Sequence, residues 1–231
     1  MLEIRNFSNY ILKDVSFELP VSKNLIILGS NGCGKTTLAK TLSGIISNDS
    51  VKIDNNNISK LYGDKRTSLI NYLPSKLTIF DEHINVDEFL SLSDLYSKKN
   101  IVEVLKLLNI STLKSKSCKN LSSGESQLVL LASGILHNAK YTIFDEITSN
   151  LDPSKLKMVF DILTSKDYFN SKIIITHNLH FAYKLGFDII FIQDGKIIFN
   201  NSNKEFFSDE NLKKFFCGSV KKIDKHIVVD I

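Results

Sequence analysis

Two short stretches near the start of the chain, "LEIRNF" (2–7) and "VSFEL" (15–19), alternate apolar and polar side chains. A period of two marks strands with one buried face, so an antiparallel β portion is expected there. The pattern then changes. "NLIIL" (24–28) is continuously apolar, as a strand covered on both faces would be, and Lys35 to Ile46 carries a helical apolar face. "SLINYL" (68–73) predicts another short strand. From Asn85 to Ile110, apolar residues recur at three- and four-residue steps in "NVDEFLSLSDLY" and "NIVEVLKLLNI", and a further helix is expected after Gly124 in "ESQLVLLASGILH".

The second half alternates more regularly. "YTIFDE" (141–146) reads as a strand ending in two acids, and "SKLKMVFDIL" (154–163) as a helix opened by Asp152-Pro153. "KIIITH" (172–177) is a buried strand ending in a histidine, and "IIFIQDGKIIF" (189–199) a hairpin turning at Asp194-Gly195. A short helix around "ENLKKFF" and a final apolar strand, "KHIVVDI", close the chain. Strands alternating with helices predict a mainly parallel α/β sheet, in which the helices of about 85–140 form an insertion.

With 231 residues, 43% of them hydrophobic, the chain has enough apolar material for one good core and a small subdomain. No apolar run approaches the ~18 residues that span a bilayer, and the N-terminus lacks the form of a signal peptide, so a cytosolic setting is expected. Cys33, Cys118 and Cys217 lie far apart without metal-type spacing, which fits a reducing compartment. The net charge of +4 does not point to nucleic acid. Arg5 and Arg66 are the only arginines, and the lysines are scattered as on a solvated face.

The candidate chemistry starts at Gly29-Ser30-Asn31-Gly32-Cys33-Gly34-Lys35-Thr36, followed by Thr37. This is the phosphate-loop pattern, G, four residues, then G-K-[ST], with a strand before it and a helix after. Glycines let successive N–H groups curl around a phosphate, and the helix adds the positive end of its dipole. In that pattern Lys35 reaches the β- and γ-phosphates of a nucleotide and the Thr36 hydroxyl ligates Mg²⁺. Asp145, at a strand end, suits Mg²⁺ held through water, and Glu146 suits the polarisation of an attacking water. Cys33 lies among the loop's amides, where a lowered thiol pKa is expected. "HNLH" (177–180) offers His177 and His180, with no third metal ligand nearby.

"LSSGESQ" (121–127) alone reads as a helix cap. Taken in order, however, the phosphate loop, "LSSGE", "IFDE", "TSNLD" and "ITH" resemble the ATP-binding-cassette (ABC) ATPases over nearly the whole chain. The resemblance implies a single ABC ATPase domain, 1–231, with a helical subdomain at about 85–140 inserted in the nucleotide-binding core. It also implies a head-to-tail dimer with a second, identical or different, ABC ATPase subunit. Each ATP would be held by one phosphate loop and capped by Leu121, Ser122, Ser123, Gly124 and Glu125 of the other chain. Ser149, Asn150, Leu151 and Asp152 resemble the loop that links the two sites, and His177 resembles the switch histidine that positions the catalytic Glu146.

The chain departs from the family pattern in several places. Ser75 stands where a glutamine usually follows the strand "INYLP", and the only glutamines are Gln127 and Gln193. The aromatic expected to stack on adenine is either Phe7 or Tyr10, with Tyr10 preferred. Ile147 replaces a usual proline, Ser123 a glycine and Glu125 a frequent glutamine. With no membrane span, transport would need separate permease subunits at the cytoplasmic face of the membrane. These would dock on "FDEHINVDEFLSLSDLYS" (80–97), and a substrate-binding protein is an expected further partner. The tail from Phe206 resembles the ATPases that power uptake of iron-siderophores, haem and cobalamin. An exporter subunit, a different solute and a soluble cassette ATPase remain the alternatives.

Overall fold

The computed structural model describes residues 1–79 and 81–229. The strand β1 (Leu2–Phe7) pairs antiparallel with β2 (Val15–Leu19), and Leu2, Ile4, Val15, Phe17 and Leu19 face inward as their alternation requires. Phe7 joins them because the register shifts between Ile4 and Phe7, where Asn6 has φ 48°. Next, β3 (Leu25–Gly29) runs into the glycine loop and α1 (Lys35–Leu42). The helix ends earlier than the expected Ile46 because Gly44 turns the chain with φ 74°. The short strands β4 (Val51–Ile53) and β5 (Asn56–Asn57) return to β1 and complete a four-stranded sheet in the order β2-β1-β4-β5.

After α2 (Asp64–Thr67) and β6 (Ile70–Leu73) the chain leaves the sheet for three helices, α3 (Val86–Ser91), α4 (Ile101–Leu107) and α5 (Ser123–His137). The helical pattern of 85–110 is thus two short helices. Each starts at a capping box, Asn85 with Glu88 and Asn100 with Glu103, which satisfies backbone donors at both starts. The chain rejoins the sheet at β7 (Tyr141–Asp145), parallel to β6. It continues through α6 (Pro153–Thr164), β8 (Ser171–Ile175), α7 (Leu179–Leu185), β9 (Asp188–Gln193) and β10 (Lys196–Asn201). Finally α8 (Asn203–Phe206) and α9 (Asp209–Phe216) lead to a ribbon of β11 (Val220–Ile223) and β12 (His226–Val229). The closing strand therefore pairs apart from the main sheet, and Asp230 and Ile231 lie outside the described residues.

The main sheet has the order β10-β9-β3-β8-β7-β6, parallel except for the β9–β10 hairpin. Its central strands are buried on both faces, which explains their unbroken apolar runs. Leu25, Ile27, Ile143, Ile173 and Ile175 join the core under α1 and the antiparallel sheet. Ile26, Leu28, Phe144 and Ile174 join the opposite core with α5, α6 and α7. No helix among the described residues is long and apolar enough to cross a membrane.

The hairpin turn does more than join two strands. Gly195 accepts from Lys13 N at 2.8 Å, and a Cβ at Gly195 would collide with the Ile11 carbonyl oxygen. This anchors the segment that covers the glycine loop. Gly195→Ala (φ 78°) is expected to cost about 1–2 kcal/mol for the left-handed backbone plus about 1–3 kcal/mol for the clash. Gly186→Ala (φ 70°), with open space around it, should cost the backbone term alone. Thermal unfolding followed by circular dichroism checks the difference, and equal losses would show that the turn does not press on Ile11.

Candidate nucleotide site

The loop between β3 and α1 is shaped by close approach. A Cβ at Gly29 would lie 2.5 Å from both Cys33 Sγ and the Ile192 carbonyl oxygen, and one at Gly34 would lie 2.6 Å from Leu12 Cδ2. Gly34 also caps α1 with φ 106°, a conformation that favours glycine. Leu38 N bonds the Gly34 carbonyl at 2.8 Å, closing the first turn, and the N–H groups that open such a helix lack intrahelical acceptors. Lys35 is 8% exposed, and its Nζ donates back to the carbonyls of Gly29 (2.8 Å) and Ser30 (2.9 Å). The ammonium therefore spans the loop. Ser30, Asn31, Gly32 and Thr36 are exposed along it.

The two acids stand across from this loop. Asn31, Gly32, Gly34, Lys35, Thr36, Thr37, Asp145 and Glu146 line one cavity of about 360 Å³. Asp145 is almost fully buried at the end of β7. Its Oδ2 accepts from the Tyr72 hydroxyl at 2.9 Å, whereas Oδ1 has no partner among the described residues. A buried, unpaired carboxylate oxygen is costly unless a cation or bound water takes it up, so the donor set fits a magnesium ion shared with the Thr36 hydroxyl. Burial raises the Tyr72 hydroxyl pKa, and the Asp145 charge adds to the rise, so the phenol stays protonated and donating.

Glu146 has φ 56°, a left-handed backbone that costs a non-glycine residue about 1–2 kcal/mol. It is held there at both ends. Its N–H donates to the Ile175 carbonyl at 3.0 Å, and its carbonyl accepts from Ser149 N (3.0 Å) and Ser149 Oγ (2.8 Å). His177, well exposed after β8, brings Nδ1 to 2.8 Å from Glu146 Oε2, a contact that becomes an ion pair when the imidazole is protonated. His180 lies elsewhere. It stacks on His226 at 5.1 Å and accepts from Ile227 N at 3.2 Å, which ties α7 to the final ribbon.

Ser122 is the N-cap of α5, in a capping box with Glu125. Lys116 Nζ reaches both Glu125 oxygens, at 3.1 and 2.9 Å. Leu121 is half-buried and Ser123 exposed beside this cap. Gly124 also has a role within its own chain, since a Cβ there would lie 3.2 Å from the Asn150 carbonyl oxygen. The loop Ser149–Asp152 therefore packs against the start of α5 through Asn150 and Leu151. Asp152 caps α6, with Oδ1 accepting from Lys155 N at 2.9 Å and Oδ2 paired to Lys155 Nζ at 3.0 Å. Ile147, in place of the usual proline, is buried in the core.

Three residues at this site escaped the sequence reading. Tyr72 sits one strand from Asp145, Lys116 nine residues before Glu125, and Gln127 joins Ser75 to Ser149. Only Gln127 left a sequence signal, a lone amide in an apolar helix. Phe7, at the end of β1, is packed in the core, whereas Tyr10 is 88% exposed, so Tyr10 is the exposed aromatic of the two. The expectation for Cys33 is corrected. Burial pushes its thiol pKa up and outweighs the opposing effect of Lys35, so a reactive thiolate is disfavoured.

A family model described as ABC transporter matches residues 12–149, more than half of the chain. The chain belongs to the ABC transporter family. It is 32% identical to the zinc import ATP-binding protein ZnuC of Wigglesworthia glossinidia brevipalpis, over 94% of this chain and 91% of that one. An inferred ABC transporter ATP-binding protein of Clostridium tetani is 30% identical over 94% of this chain, which spans half of that protein's length. Among solved structures, an ATP-binding subunit of an ABC transporter superposes with a TM-score of 0.79 at 19% identity, over 94% of this chain and 93% of that one. That likeness shows the fold, a mixed α/β ABC ATPase.

Two tests follow from this ABC ATPase's site. Lys116 first, then the Ser122 N–H, hold the Glu125 carboxyl below its unfolded value near 4.5. A depressed native pKa means the added stability is full above that value and lost as pH falls through the lower native one. The stability advantage of the wild type over Glu125→Gln, from urea unfolding, should therefore be present at pH 7 and vanish in acid. An advantage independent of pH would show that the charge is irrelevant. Separately, Phe7→Ala should lose about 3–5 kcal/mol of stability as a core cavity. Tyr10→Ala should keep its Tm and weaken binding of fluorescent ATP; unchanged affinity would remove Tyr10 from the site.

Proposed function

We propose that this ABC ATPase binds Mg-ATP between two head-to-tail cassettes and, through separate membrane subunits, drives solute uptake. The observation that carries the reading is the single cavity into which Lys35, Thr36, Asp145 and Glu146 all open. On binding, the loop N–H groups and Lys35 take the phosphate oxygens, with Ser30, Asn31 and Thr37 beside them. Thr36 and the unpartnered Oδ1 of Asp145 would hold magnesium, which would supply neutralisation of the phosphate charge when bound. Glu146 polarises the attacking water, and His177 steadies its carboxylate. Ser122, Gly124 and their neighbours at the start of α5 cap the γ-phosphate of the partner's ATP. Loss of that phosphate removes the contact that joins the halves.

Uptake rather than export is favoured by the likeness to a zinc import protein and by the tail of α9, β11 and β12. The solute class we favour is a metal chelate such as an iron-siderophore, haem or cobalamin. The permease surface is proposed along residues 81–97, which include α3; Phe80, which begins that segment in the sequence, lies outside the described residues. A substrate-binding protein and a position at the cytoplasmic face of the membrane belong to the same proposal.

Glu146→Gln keeps the side chain's shape and removes its basicity. With Mg-ATP this variant should elute as a dimer in size exclusion with light scattering. Lys35→Ala should show no nucleotide binding and remain monomeric. A monomeric Glu146→Gln chain that still binds Mg-ATP tightly would overturn the shared site, and unimpaired binding by Lys35→Ala would overturn the phosphate loop.

A further inference from the structure

We propose that Gln127 is a positioning residue for Glu146. Its buried amide ties the Ser75 carbonyl, just after β6, to Ser149, and Ser149 in turn holds the Glu146 carbonyl. The inference rests on the functional reading above and deepens it.

Gln127 lies in the second turn of α5 and is 3% exposed. Its Nε2 donates to the Ser75 carbonyl at 2.6 Å and approaches Ser149 Oγ at 3.4 Å. The Ser149 hydroxyl donates to the Glu146 carbonyl at 2.8 Å. The amide's orientation is fixed, because the reversed rotamer would set its oxygen against the Ser75 carbonyl oxygen, acceptor against acceptor. Its Oε1 is buried without a partner among the described residues. A leucine or methionine would fill this space without that penalty, so packing alone does not account for an amide here.

The geometry reaches both acids from one segment. At Tyr72 the side-chain hydroxyl holds Asp145, and at Ser75 the backbone carbonyl, through Gln127 and Ser149, holds the strained backbone of Glu146. The link at position 75 uses a main-chain oxygen, which any residue provides. Serine there, in place of the usual glutamine, leaves this route intact. A movement of the segment after β6 is then passed to the carboxylate that orients water, where a misplacement of ~1 Å costs up to ~100-fold in rate.

The test compares Gln127→Met, Ser149→Ala, their double variant and Ser149→Thr in steady-state ATP hydrolysis and thermal unfolding. Gln127→Met and Ser149→Ala should each lower kcat roughly 10- to 100-fold, the range expected for misplacement without loss of chemistry. KM for Mg-ATP should stay within about two-fold, as for an interaction lost beyond the ground state. The double variant should be no slower than the slower single one, because both break the same chain of bonds. Ser149→Thr, which keeps the hydroxyl, should retain the rate. If Gln127→Met does not fold, the Ser149 pair decides alone. Wild-type kcat in the variants, multiplicative losses, or kcat and affinity falling together with Tm would overturn the relay while leaving the functional reading standing. A wild-type chain that does not turn over Mg-ATP would overturn both.

Discussion

The hydrogen-bonded ladder across β3, β8 and β7 sets Ile27 beside Ile175 and Ile175 beside Asp145. Because these strands are parallel, their carboxyl ends leave the sheet at one level. The glycine loop, Thr176 with His177, and Glu146 therefore emerge side by side. Crevices at the carboxyl edge of open parallel sheets are where such folds bind ligands. Residues more than a hundred positions apart meet through nothing more specific than backbone pairing in a fixed register, and a core covered on both faces keeps that register from slipping.

Polar groups then set the side chains, and each is secured from a neighbouring element. Tyr72 on β6 fixes one oxygen of Asp145 and leaves the other open. The Glu146 backbone is pinned by Ile175 on one side and Ser149 on the other, which offsets its left-handed conformation. Strain of this kind persists where the surroundings over-determine it, and here it sits at the proposed water-orienting carboxylate. The ammonium of Lys35 rests on two carbonyls of its own loop. Ligand oxygens would meet a charge already in place.

The start of α5 and the loop before α6 share a tight contact within the chain. Gly124 lets the Asn150 carbonyl approach, and Gln127 reaches Ser149 from the same helix. The surface that would cap a partner's nucleotide is thus packed on the loop that follows Glu146. A displacement of one is therefore passed to the other both by the backbone approach at Gly124 and by the Gln127 side chain.

Much of this molecule was legible before folding. Local chemistry specified the phosphate loop, the strand ending in Asp145-Glu146, the Asp194-Gly195 hairpin and the Asp152-Pro153 helix start, since each depends on neighbours in sequence. Helix ends were less legible, because Gly44 and the boxes at Asn85 and Asn100 cut short patterns that apolar spacing alone would prolong. The strands β4 and β5 carry almost no signal, and their pairing with β1 decides them. The choice between Phe7 and Tyr10 needed burial, and the Cys33 thiol needed its packing against the loop. Tyr72, Lys116 and Gln127 gained their partners only when distant segments met. Sequence spacing encodes which local geometries a chain can adopt; which side chains share a dry, crowded site is decided by tertiary packing, because hydrogen bonding and desolvation act through space.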